Sequence, residues 1–224
     1  QKERLFFMEK QVIRVMFTGD SITDCQRARP VGDGVGTLGN SYVGNLFCMT
    51  WAENPECRAR FMNSATSGDT SRQLLARFDD EVLAYNPDYL FIMIGVNDSW
   101  RIAELPVNTE VLISSEETAA NMEKMILKAR EKGAEPIILS PFFMDLDKNE
   151  FMRYHVDEIN ALYKKLAEKY SVGYIDIQSA IDGWISKASS YILSSDRVHP
   201  KAIGVSLIAR TIFEHPVFRG VIDR

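Results

Sequence analysis

The sequence predicts an α/β fold in which a parallel sheet is covered by helices on both faces. Short apolar runs of strand length recur along the chain, and each is separated from the next by a segment long enough for a helix. Those intervening segments carry apolar residues at helical spacing rather than in alternation. No composition break, repeat or low-complexity run divides the 224 residues, so one domain over residues 1–224 is expected.

The expected strands are Val12 to Phe17, Arg58 to Met62, Tyr89 to Ile94, Pro136 to Ser140 and Gly173 to Ile177. All five are short and apolar, as strands buried on both faces of a parallel sheet must be. The first helix expected from periodicity is Ser71 to Tyr85, with Leu74, Leu75, Phe78, Val82 and Leu83 on one face. Ser115 to Lys132 repeats the pattern and stops at Gly133, and Asn149 to Tyr170 repeats it again with charges between. Pro200 opens a last helix through Phe213, at a first-turn position that proline tolerates. The longest irregular stretch, Ile22 to Asn40, carries Gly32, Gly34, Gly36 and Gly39 and reads as a binding loop.

Composition excludes several functions. There are 26 Lys and Arg against 31 Asp and Glu, a net charge of −5, and the basic residues are scattered, so no nucleic-acid partner is expected. The longest apolar run, Tyr89 to Ile94, is far too short to span a bilayer, and no membrane partner is expected. The three cysteines, Cys25, Cys48 and Cys57, lack the spacing of a zinc or redox site. Gly34-Val35-Gly36-Thr37-Leu38-Gly39 matches a dinucleotide fingerprint by letter, but its glycines follow Arg29-Pro30 and lie well beyond the end of the Val12 to Phe17 strand instead of turning directly out of it. Position 1 is Gln, and a processed, exported form is slightly favoured over a cytoplasmic one.

Ligands of such sheets sit at the carboxyl ends of the strands, so the residues following each strand are the ones to inspect. After the first comes Gly19-Asp20-Ser21, a serine at a helix start whose hydroxyl and N–H both face the rim. After the second, Ser67-Gly68-Asp69-Thr70 can bring a backbone N–H close to a ligand atom. After the third, Asn97 can direct its side-chain N–H₂ into the same space. Near the end, Asp196 stands three residues before His199 in a loop closed by Pro200, placed to accept the imidazole Nδ1–H and free Nε2 as a base. His155 and His215 have no such neighbours and read as surface residues. Each piece alone reads as a cap or a turn. Together they supply nucleophile, oxyanion donors and base at one edge of one sheet.

The set resembles the SGNH hydrolases of the GDSL esterase/lipase superfamily. The matching blocks are Gly19 to Ser21, Ser67 to Thr70, Gly95 to Asp98 and Asp196 to Pro200, in the family's order and across nearly the whole chain. Arg27-Ala28-Arg29-Pro30, Tyr42 and Asn97-Asp98-Ser99-Trp100-Arg101 are similar to the bacterial acetylxylan esterase branch. The resemblance implies a flavodoxin-like three-layer α/β/α sandwich around a five-stranded parallel sheet. It implies Ser21, Asp196 and His199 as catalytic triad and the Ser21 N–H, Gly68 N–H and Asn97 side chain as oxyanion hole. It further implies an acyl-enzyme ester hydrolysis without metal or cofactor, on acetyl esters of xylo-oligosaccharides or related sugars, with a homo-oligomer left open. Trp100 reads either as a sugar platform, with Arg101 engaging hydroxyls or fixing the loop, or as packing. Longer acyl chains, as in a lysophospholipase or thioesterase, are the competing substrates, and a catalytically silent sugar-binding module is the competing non-enzyme. Ala65 stands where many members carry glycine, and Ser194 and Ser195 stand where this branch is expected to carry a bulkier aromatic residue.

Overall fold

In the computed structural model, residues 12–104 and 112–223 are described; Gln1, on which the export expectation rests, lies outside them. In chain order the elements are β1 (Ile13–Gly19), α1 (Ser21–Asp24), β2 (Gly32–Asp33), α2 (Tyr42–Glu53), β3 (Ala59–Asn63), α3 (Ser71–Ala76) and α4 (Phe78–Glu81). There follow β4 (Tyr89–Met93), α5 (Val96–Glu104), α6 (Ser115–Glu131), β5 (Glu135–Leu139), α7 (Phe151–Tyr170) and β6 (Gly173–Ile175). The chain closes with α8 (Ile177–Ile185), α9 (Ser190–Leu193), α10 (Ala202–Glu214) and α11 (Pro216–Ile222).

The sheet order is β2-β3-β1-β4-β5-β6. Its five parallel strands are the five expected ones, and their order, second-first-third-fourth-fifth along the chain, is that of flavodoxin. The sixth strand corrects the count. Gly32 and Asp33, inside the stretch expected to be irregular, pair antiparallel with Asn63 and Met62 at the sheet edge. Two residues framed by glycines carry no period that a sequence pattern could detect.

Alternation along each strand divides the core in two. Val15, Phe17, Phe61, Phe91, Ile137 and Leu139 face one layer, where they meet Leu46, Ile181, Ile208 and Phe218 from α2, α8, α10 and α11. Met16, Met62, Leu90, Ile92 and Ile138 face the other, against Leu74, Phe78, Met125, Ile126 and Tyr163. A single apolar run such as Tyr89 to Ile94 therefore serves two cores at once, which is why it shows no polar alternation.

The helix expected over Ser71 to Tyr85 buries the face named for it but breaks at Arg77, which ends α3 and begins α4. The Arg77 guanidinium reaches back from this break to Asp69 and to the carbonyls of Ser64 and Gly19. The last strand ends two residues earlier than expected because Asp176 caps α8, its carboxylate accepting the Ser179 N–H. His155 and His215 are half-buried rather than surface residues, His215 capping α11 by accepting the Val217 N–H on Nδ1. Among the described residues, no helix is long and apolar enough to cross a membrane.

Candidate active site

β1 ends in Gly19, where a side chain could not be accommodated: a Cβ would lie 2.0 Å from the Met93 carbonyl oxygen. This close approach lets β1 and β4 run together to their carboxyl ends and turns the chain sharply into Asp20. The Asp20 carboxylate caps α1 by accepting the Ile22 N–H at 3.0 Å, leaving Ser21 as the first helical residue. Its hydroxyl lies 2.9 Å from His199 Nε2, and His199 Nδ1 lies 2.7 Å from Asp196 Oδ2. Since a carboxylate only accepts, Nδ1 carries the proton, and in the neutral imidazole Nε2 is left to accept from Ser21.

The loop that brings His199 over Ser21 is tied at several points. The other Asp196 oxygen accepts the N–H groups of Val198 and His199 at 2.9 and 2.8 Å and the Ser194 hydroxyl at 2.9 Å. Burial alone would raise the Asp196 pKa, but the bonds from His199, Val198 and Ser194 outweigh it and hold the carboxyl well below its ordinary range. Arg197 stacks its guanidinium on Phe143 and pairs with Asp145 at 2.6 Å, while its carbonyl accepts the Met144 N–H.

Two further segments close on Ser21. Thr66 donates its N–H to the Gly19 carbonyl at 3.0 Å, which lays the Ser67-Gly68-Asp69 loop beside the Gly19-Asp20-Ser21 turn. Gly68 adopts φ +86 with open space where a Cβ would point. Asn97, in the first turn of α5, donates its carboxamide N–H to the Asp69 carbonyl at 2.9 Å, one of two hydrogens it can give. Next to it Asp98 is fully buried and accepts from the Ser71 N–H, the Ser71 hydroxyl and the Thr118 hydroxyl, locking α5 against α3 and α6. Burial raises the Asp98 pKa against those bonds. Trp100 packs on the core and sets its indole 5.7 Å from the His199 ring, and Arg101 follows it on α5, half-buried.

The seven residues singled out by sequence lie beyond the carboxyl ends of the strands: Ser21 at the start of α1 after β1, Gly68 in the loop after β3, Asn97, Trp100 and Arg101 on α5 after β4, and Asp196 and His199 in the 194–200 loop. Asp24, Ser67, Arg77 and Ser194 were not singled out as functional, although each braces one of these segments. Ser67 lies inside a matching block and Asp24 and Ser194 within three residues of one, whereas Arg77 lies outside all four.

The sequence profile of the GDSL-like Lipase/Acylhydrolase family matches residues 17–207. The chain belongs to that family. It is 34% identical over 212 residues to an acetylxylan esterase from Geobacillus stearothermophilus, covering 94% of this chain and 97% of that one. The crystal structure of that esterase, Axe2, superposes with a TM-score of 0.86 at 35% identity, covering 89% of this chain and 91% of the other. A weaker match, 25% identical over 117 residues and covering about half of each chain, joins it to an Escherichia coli thioesterase 1/protease 1/lysophospholipase L1. The chain is thus a carboxylic ester hydrolase with the SGNH fold.

Proposed function

We propose that this esterase removes acetyl groups from carbohydrate, of the acetylated xylo-oligosaccharide class or related sugars, through an acyl-enzyme on Ser21. The observation that carries the mechanism is the unbroken relay from Ser21 Oγ to His199 Nε2 at 2.9 Å and from His199 Nδ1 to Asp196 at 2.7 Å. His199 takes the Ser21 proton as Oγ attacks the ester carbonyl. The Ser21 N–H, the Gly68 N–H and the second Asn97 N–H hold the oxyanion, and the protonated imidazole then gives its proton to the departing sugar hydroxyl. Water repeats the sequence on the acetyl-serine and releases acetate.

The structures of Axe2 include catalytic mutants of one serine, one aspartate and one histidine, the last two three positions apart as Asp196 and His199 are here, which supports the same assignment. The acetylxylan substrate is supported by the activity of that relative alone, an acetylxylan esterase. The thioesterase and lysophospholipase relative supports longer acyl chains as a second reading. A panel of p-nitrophenyl esters from acetate to dodecanoate, run beside acetylated xylobiose with Ser21→Ala as control, decides between them. Activity peaking at acetate upholds the carbohydrate esterase; a peak at octanoate or beyond replaces it with the second reading.

A further inference from the structure

The nucleophile helix and the Gly68 loop are joined by a buried carboxylate that takes no part in the relay. Asp24 stands one helical turn after Ser21, at the last position of α1, and is 2% exposed. Its Oδ2 accepts three hydrogens: the Ser67 N–H at 2.8 Å, the Ser67 hydroxyl at 2.8 Å and the Arg29 guanidinium at 2.6 Å. Burial works to raise its pKa, but Arg29 and the two Ser67 donors outweigh burial and keep the carboxyl below its ordinary range, so it is an anion at neutral pH. Ser67 is itself exposed and precedes Gly68 directly. On the other side of Gly68, the Asp69 carbonyl is held by Asn97 and the Asp69 carboxylate by Arg77.

Gly68 has an open side and a backbone conformation with little steric restraint of its own. Its N–H direction is therefore set by the peptide on either side. We propose that Asp24 is a positioning residue for the oxyanion hole: by gripping Ser67 from the helix that begins with Ser21, it fixes the Gly68 N–H relative to the Ser21 hydroxyl. The inference rests on the Gly68 role assigned under Proposed function. An amide donor displaced by a fraction of an ångström loses most of its value to a developing oxyanion, while ground-state substrate binding changes little.

The test compares Asp24→Asn, Ser67→Ala, Ser67→Thr and the Asp24→Asn/Ser67→Ala double variant with wild type. Two readings are taken on each: steady-state hydrolysis of p-nitrophenyl acetate, and affinity for an aryl trifluoromethyl ketone, whose tetrahedral serine adduct presents an oxyanion to the same donors. Asp24→Asn is expected to lower kcat about 10- to 100-fold with KM within about threefold of wild type, and to weaken the ketone in parallel. Ser67→Ala is expected to lose about 3- to 10-fold and Ser67→Thr to recover most of it, while the double variant is no worse than Asp24→Asn alone because both act through one contact. A folded Asp24→Asn with wild-type kcat overturns the proposal, as does a kcat loss without loss of ketone affinity. Should Asp24→Asn fail to fold, Ser67→Ala decides alone: exposed and small, it leaves the fold intact, and wild-type kcat in it is equally fatal. A wild type that does not turn over the acetate at all contradicts the underlying reading, whereas an active wild type with an equally active Asp24→Asn contradicts only the clamp.

Discussion

The Asn97 carboxamide and the Asp69 carbonyl are joined by a 2.9 Å hydrogen bond that crosses from the start of α5 to the loop after β3. Asn97 thus gives one hydrogen to fixing its own orientation, and the other is the one proposed above to meet the oxyanion. Asn97→Ala removes both, and kcat on an aryl acetate should fall about 10²- to 10³-fold with KM little changed, because the lost bond matters once charge develops. Steady-state kinetics check this. A rise in KM alone would make Asn97 a ground-state binding residue.

The Trp100 indole lies 5.7 Å from the His199 ring at a 48° tilt, while its body packs on the core. The two sequence readings, packing and sugar platform, are therefore compatible. Trp100→Ala should cost about tenfold on an aryl acetate through loss of lateral support to His199, and distinctly more on acetylated xylobiose. Trp100→Phe should restore the aryl acetate rate. Equal losses on both substrates in Trp100→Ala would leave support of His199 as its whole role.

Asp196 orients the imidazole and Ser194 orients Asp196. Asp196→Asn should lower kcat about 10³- to 10⁴-fold, the scale set by the wrong tautomer in other serine hydrolases. Ser194→Ala removes one of the four bonds converging on Asp196 and should cost less than about tenfold. A Ser194→Ala loss as large as that of Asp196→Asn would assign the serine a direct part in the relay.

Asp20 is 1% exposed, and its Oδ2 has no hydrogen-bond partner among the described residues. Burial pushes its pKa up to about 7 against the Ile22 N–H bond, and Asp98 and Asp69 add to the rise. A carboxyl raised in the folded state binds a proton there that the unfolded chain has already released, so stability falls as pH climbs from the unfolded value toward the folded one. Between pH 5 and pH 8 the wild type should lose about 2 to 3 kcal/mol relative to Asp20→Asn, measured by urea unfolding of both at each pH. A difference that does not change with pH would show that Asp20 titrates near its ordinary value.

The five parallel strands, and the residues gathered beyond their ends, were readable in the sequence because burial on both faces enforces short apolar runs and ligands of such sheets sit where those runs end. α2 was not. Tyr42, Val43, Leu46 and Thr50 are buried, Phe47 and Met49 flank them half-buried against the same core, and the exposed Trp51 adds an apolar residue beyond, so apolar residues spread round the helix and no narrow stripe stands out. α5 was hidden for another reason: its first turn is the Asn97-Asp98 block itself, whose polar residues read as a turn until Ser71 and Thr118 are seen to satisfy Asp98. The braces at Asp24 and Arg77 depend on partners 43 and 58 residues away in the chain, Ser67 and Gly19, and such long-range pairings leave no local pattern.

The most direct test of the central claim is rapid quench of the wild-type enzyme with p-nitrophenyl acetate, followed by proteolysis and mass spectrometry. The account predicts an acetyl group on the peptide containing Ser21, forming within the first turnover and absent in a folded Ser21→Ala variant that has lost hydrolysis. Turnover retained by Ser21→Ala, or acetyl trapped on another side chain, would contradict it.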